Sequence, residues 1–175
     1  SELLDARSCA ASLQPLQDLR EAGMPVVTAM QDDVNGIAWT FADLLPELGV
    51  RYLSMGENGH RALVPFAVPT VFWWESPTGS RLLAYRSDHY MTGNLWSLHQ
   101  GVEQRVAPAM FAYLDQLVQK GYPYDRVAVQ YSGTILDNSP PSIVACGFIA
   151  DWNTRYEWPH LRSSVDSEFL RWMEQ

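Results

Sequence analysis

Residues 24–56, MPVVTAMQDDVNGIAWTFADLLPELGVRYLSMG, change hydrophobic period twice, and that limits the fold more than any other stretch of the chain. Residues 25–30 form a short apolar, β-branched run, and 31–36 are polar, with Asn35 and Gly36 supplying turn chemistry. Ile37, Phe41, Leu44, Leu45 and Leu48 then recur at helical spacing, and residues 50–55 return to a β-like pattern. Strand, helix and strand in succession make a βαβ unit, which calls for two parallel strands in one sheet. In such folds the chemistry gathers in the loops at the carboxyl ends of the strands, where Asp32 and Asp33 fall.

The rest of the chain extends the pattern. Residues 13–22, with Pro15 in the first turn, read as a helix closed by Gly23. Residues 56–69 have no period and read as a long loop carrying Glu57, Asn58, His60 and Arg61. Residues 70–75 and 81–86 are β-rich runs joined by the turn residues Ser76, Pro77, Thr78, Gly79 and Ser80, a hairpin. An amphipathic helix is predicted over 102–120 through Val106, Met110, Tyr113, Leu114 and Leu117, bent at Pro108. A strand at 126–131, a loop at 132–138, a helix at 139–156, a short strand at 160–163 and a helix at 166–173 complete the order. This is an α/β chain: a mainly parallel sheet with flanking helices and one β-hairpin, either an open sheet or part of a barrel whose other strands lie elsewhere.

At 175 residues the chain is sized for a single domain. Its net charge of −8, without any basic stripe, sets aside nucleic acid and anionic membrane surfaces as partners. No apolar run approaches the ~20 residues of a membrane span. The opening SELLDARSCA is neither a signal peptide nor a start at Met, so the chain reads as a piece of something longer. Cys9 and Cys146 lack metal or disulfide-scaffold spacing and are expected to be small buried hydrophobes.

Three places bring carboxylates to strand ends: Asp32 with Asp33, Asp88 with His89, and Asp137. Two carboxylates facing each other serve glycoside hydrolysis, and a carboxylate beside a His serves a divalent metal. The plainer reading is that each Asp forms a turn or a cap; Asp32 is then the structural member of its pair, and Asp137 caps the helix after it. The stretch SDHYMTGNLW concentrates His89, Tyr90, Asn94 and Trp96, side chains able to bind a sugar, whereas Trp73 and Trp74 are expected in the core or hairpin packing. His60, His89, His99 and His160 show no metal-binding spacing, and no serine-hydrolase, P-loop or dinucleotide signature occurs.

QDDVNGIAWTFADLLPELGVRYLSMG resembles the stretch of glycoside hydrolase family 38, the α-mannosidases, in which an Asp-x-x-Gly motif precedes a helix and a strand ending in Gly. FWWESPTGSRLLAY and WNTRYEWPHLRSSVDSEFLRWME are similar to later parts of the same family, in matching order. The resemblance implies a (β/α)7-type catalytic barrel, of which this chain is the second half. It places the catalytic nucleophile, also a ligand of an active-site zinc, at Asp33, which with Gly36 has the motif's spacing. The acid/base falls by a looser match on Asp137 in YSGTILDNSPPS. The implied reaction is retaining hydrolysis of an α-mannosidic bond in a carbohydrate substrate, with one zinc whose remaining ligands lie outside this chain, in the rest of its own polypeptide. The isolated chain is then expected to hold zinc weakly and turn over little. Asp-Val-Asn-Gly stands where the family more often has Asp-Pro-Phe-Gly, so the preferred sugar is open. A non-catalytic carbohydrate-binding or interaction domain with the same fold is the alternative. A metal-dependent deacetylase would need a His-x-x-x-His pair that the chain lacks.

Overall fold

The computed structural model of the chain describes residues 4–34, 36–59, 66–135 and 137–175. Two short helices, α1 (Ala6–Ser12) and α2 (Gln14–Glu21), lead into β1 (Thr28–Asp32), α3 (Phe41–Glu47) and β2 (Tyr52–Glu57). The hairpin of β3 (Thr70–Glu75) and β4 (Arg81–His89) follows, then α4 (Thr92–Leu95), α5 (Glu103–Gln119), α6 (Val144–Arg155) and α7 (Asp166–Met173). The strands form one mixed sheet in the order β1-β2-β4-β3. β1 and β2 are parallel, β2 and β4 are parallel, and β3 runs antiparallel to β4. The carboxyl ends of β1, β2 and β4 therefore share one rim.

β4 is the strand the sheet is built around, because residues 82–87 are all buried. Successive side chains on a strand point to opposite faces. Leu82 and Ala84 join Leu53, Phe41, Ala42, Leu45 and Cys9 in a cluster toward α1 and α3. Leu83 and Tyr85 join Tyr52 and Leu170 in a cluster toward α7. Each Leu so buried contributes about 1.5–3 kcal/mol, and the outer helices are held by these two layers. A third cluster, Val106, Met110, Phe148 and Trp152, packs α5 on α6. The end of α7 is tied to the start of β2, where Glu174 accepts from Arg51 Nη2 at 2.8 Å and from the Tyr52 hydroxyl at 2.7 Å. Among the described residues no helix is long and apolar enough to cross a membrane.

Several expectations are corrected. Residues 126–131 and 160–163 belong to no strand among the described residues, and side chains bond several of their backbone groups. The Tyr85 hydroxyl donates to Ala128 O at 2.9 Å and the Tyr122 hydroxyl to Arg126 O at 2.8 Å. The Asn153 amide pairs with both the N–H and the C=O of Leu161, at 3.0 and 2.7 Å, as a neighbouring strand would. The helix predicted from residue 139 starts at Val144. Ser139 and Pro140 each precede a proline, which drives them out of the helical region. Cys9 is fully buried but Cys146 is exposed, since it falls off the α6 stripe of Ala145, Phe148 and Trp152. Trp74 packs into the first cluster, whereas Trp73 is exposed and lies against the Arg81 guanidinium, 4.5 Å from its ring centre. Asn35 and residues 60–65, with His60 and Arg61, lie outside the described residues.

Candidate active site

Asp33 takes the first position beyond β1. Its N–H donates to Gly56 O at 3.1 Å, one further rung of the β1–β2 ladder. Its φ of 61° then turns the chain away, a left-handed conformation that Asp tolerates better than most residues. The side chain crosses to the end of β2, where Asn58 Nδ2 donates to Asp33 Oδ1 at 2.5 Å. Asn58 is buried and Asp33 exposed, so a fixed donor holds a carboxylate that solvent and ligands can reach.

From β4 the rim receives Asp88 and His89, which are strand residues rather than loop residues, and then Tyr90. The rings of His89 and Tyr90 stack at 4.5 Å with 22° between planes. His89 Nδ1 accepts from the Met91 N–H at 3.1 Å, which fixes the orientation of the imidazole. The Tyr90 hydroxyl donates to Asp137 Oδ2 at 3.0 Å. Burial is the largest cause pushing the Tyr90 pKa well above its ordinary value, and the bond to Asp137 and the negative charges of Asp33 and Asp137 add to the rise. Tyr90 therefore stays a donor at any physiological pH; it is bonded to Asp137, and the charge of Asp33, far away in sequence, reaches it as well. Asp137 is half-buried and does not cap a helix.

Asp32 points into the protein, where Gln130 Nε2 donates to its Oδ1 at 2.8 Å and the Ser87 hydroxyl donates to Gln130 Oε1 at 2.8 Å. Burial holds the Asp32 carboxyl above its ordinary pKa, against the Gln130 and Gly56 hydrogen bonds, and the charge of Asp33 adds to the rise. Its supporting role agrees with the structural reading of this Asp. Asp88 is likewise engaged, accepting from the Tyr113 hydroxyl at 2.6 Å and facing Arg86 Nη1 at 3.8 Å. Arg86 is only 7% exposed and spends its other nitrogen on Glu57 at 2.7 Å.

Asn94 and Trp96 sit apart from the carboxylate pair. Asn94 is buried; its amide donates to Ser132 O at 2.9 Å and its oxygen accepts from the Ser132 N–H at 2.9 Å, which fastens the segment leading to Asp137. Trp96 packs on Tyr113, with ring centres 5.2 Å apart. Among the described residues no three His, Cys, Asp or Glu side chains converge on a point. Asp33 supplies one carboxylate, held by the Asn58 amide. Sequence reasoning placed Asn58 only in a long loop and gave neither Gln130 nor the contact of Tyr90 with Asp137. Asn58 was within reach, as a polar residue just past the carboxyl end of β2, but nothing in the sequence marks Gln130.

The chain matches the model of the N-terminal domain of the glycosyl hydrolases family 38 over residues 19–175. A search among curated proteins finds no match. The sequence motifs, the rim of carboxylates and this match over most of the chain agree, and the chain belongs to glycosyl hydrolase family 38.

Proposed function

We propose that this chain carries the nucleophile and the acid/base of a retaining α-mannosidase-like hydrolase. The observation that supports this best is that Asp33, past the end of β1, and Asp137, held by the Tyr90 hydroxyl past the end of β4, both act on the same phenol electrostatically. Retaining glycosidases use two carboxyl groups, one as nucleophile and one as acid/base, and Asp33 and Asp137 are the pair that the family resemblance assigns to those roles.

The roles follow from the surroundings. Asp33 is exposed and accepts from Asn58, which holds its carboxylate where a nucleophile can reach a sugar. Asp137 is half-buried and accepts from the Tyr90 hydroxyl, which fixes the orientation of the carboxyl assigned as acid/base. Asp33 attacks the anomeric carbon, Asp137 protonates the departing oxygen, and Asp137 then takes a proton from the water that releases the sugar. The four-stranded sheet is, on this reading, part of a (β/α)7-type, mainly parallel barrel of which the chain forms the second half. Asp33 is then one donor to a zinc whose other ligands come from the rest of the polypeptide.

The test uses the full-length protein. Asp33→Asn is expected to abolish hydrolysis of an aryl α-mannoside, and a fluorosugar trap should place a covalent adduct on Asp33 by mass spectrometry. Hydrolysis that survives Asp33→Asn refutes the assignment; sugar binding without hydrolysis in the parent favours a carbohydrate-binding domain.

A further inference from the structure

We propose that Met91 and Asn94, in the turn and short helix that follow β4, are positioning residues that set the carboxyl of Asp137 against the leaving group. This deepens the reading above and rests on its assignment of Asp137 as acid/base.

The segment that carries Asp137 needs such a support. Among the described residues, 130–135 and 137 lie in neither strand nor helix, so no backbone ladder fixes them and their polar groups must find other partners. The residues after β4 supply those partners. The Gly93 N–H donates to Gln130 O at 2.9 Å. The Asn94 amide nitrogen donates to Ser132 O at 2.9 Å and to Ile135 O at 3.4 Å, while its oxygen accepts from the Ser132 N–H at 2.9 Å. The Asp137 N–H donates to the Met91 sulfur at 3.0 Å, and the Tyr90 hydroxyl donates to Asp137 Oδ2 at 3.0 Å. Two consecutive residues, Tyr90 and Met91, thus hold the side chain and the backbone of Asp137.

The support is itself firm. Thr92, Gly93 and Asn94 are buried, as are residues 82–87 of the strand before them. Gly93 lies so close to the segment that an added Cβ would stand 3.2 Å from Gln130 O and from Tyr131 Cβ. The start of the segment is tied to the other side of the site, because Gln130 Nε2 donates to Asp32 Oδ1 at 2.8 Å and Asp32 directly precedes Asp33. The chain from Gln130 to Asp137 therefore runs from the nucleophile's strand to the acid, and Met91 and Asn94 set its course between them.

The chemistry gives a signature of misplacement. In the first step the glycosidic C–O bond breaks, the bond from Asp33 to the anomeric carbon forms, and the Asp137 proton passes to the departing oxygen. A displaced acid slows this step for a leaving group that needs the proton and hardly slows it for one that departs as a stable anion. A general weakening of the fold slows both alike.

The experiment compares kcat/KM of the full-length protein on phenyl α-mannoside, with a poor leaving group, and on dinitrophenyl α-mannoside, with a good one. Asp137→Asn, which removes the acid, is expected to lose activity on the phenyl substrate far more than on the other. Met91→Leu conserves volume and removes the sulfur acceptor. It is expected to lose about 10- to 100-fold on the phenyl substrate and less than about threefold on the dinitrophenyl one. Asn94→Ser, too short to reach the Ser132 and Ile135 carbonyls, is expected to show the same split. In a folded variant, equal losses on both substrates, or parent rates on both, overturn the positioning role of that residue, and should one variant fail to fold the other decides. An Asp137→Asn protein without the split removes the acid/base assignment and this proposal with it. A split in Asp137→Asn but in neither of the other variants removes this proposal alone.

Discussion

Replacing Gly56 by Ala tests the packing beneath the carboxylates. A Cβ at this position would collide with Gln130 Oε1 and stand 2.5 Å from both Asp32 Oδ1 and Tyr90 Cβ. None of these can withdraw freely, since Gln130 is fixed by Ser87 and Asp32, and Tyr90 is 9% exposed and stacked on His89. Overpacking costs about 1–3 kcal/mol. Losing the charge-assisted Gln130–Asp32 bond costs about 1.5–3 kcal/mol more, although partial relaxation makes the two overlap. Against this, Ala in a strand is about 0.5–1 kcal/mol better than Gly. The net is a loss of roughly 2–4 kcal/mol, which for a domain of this size lowers Tm by about 5–15 °C. Thermal unfolding followed by circular dichroism reads the effect directly. A Gly56→Ala protein that melts with or above the parent refutes the packing argument.

Other substitutions separate the remaining contributions. Gly147 lies inside α6 with nothing within 4 Å of an added Cβ, so Gly147→Ala should raise stability by about 0.5–1 kcal/mol in urea unfolding. Glu174 has its pKa lowered, first by the Tyr52 hydroxyl and then by Arg51. A lowered folded-state pKa gives stability that is present above the unfolded value and lost as pH falls through the folded one. Glu174→Gln should therefore cost about 1 kcal/mol at pH 7, and the gap to the parent should close below about pH 4 in a melting series. Tyr90→Phe keeps the stack on His89 and removes the bond to Asp137. On the proposed mechanism kcat should fall about 10- to 150-fold with little change in KM, the equivalent of roughly 1.5–3 kcal/mol, and an unchanged kcat refutes a role for that bond.

The βαβ unit and the hairpin were legible because each is local. The periods of 37–48 and 50–55, and the Pro-Thr-Gly turn at 77–79, decide structure without help from distant residues. The last helix was read to its observed ends, Asp166 and Met173. Residues 126–131 misled because β-propensity reports a fit to a half-buried surface, and Ala128 finds that surface against Tyr85 without entering a ladder. At the candidate site, the place of Asp33 after a strand was legible, but the bond of Tyr90 to Asp137 is a long-range contact with no sequence period. Asn94 and Trp96 were singled out by residue type alone, and burial decides what those types do: one holds a segment of backbone, the other packs against Tyr113.

The position of β4 also governs how the site can change. Arg86, Asp88, His89 and Tyr90 stand at the end of the strand that both core layers close upon. Backbone opening at this end requires both layers to separate, so its amides should exchange with solvent only through near-global unfolding. Variation that retunes substrate handling is then cheapest in the segments beyond β1 and before α6, which carry Asp33 and Asp137. The rim supplied by β4 stays the fixed reference against which those two carboxylates are set.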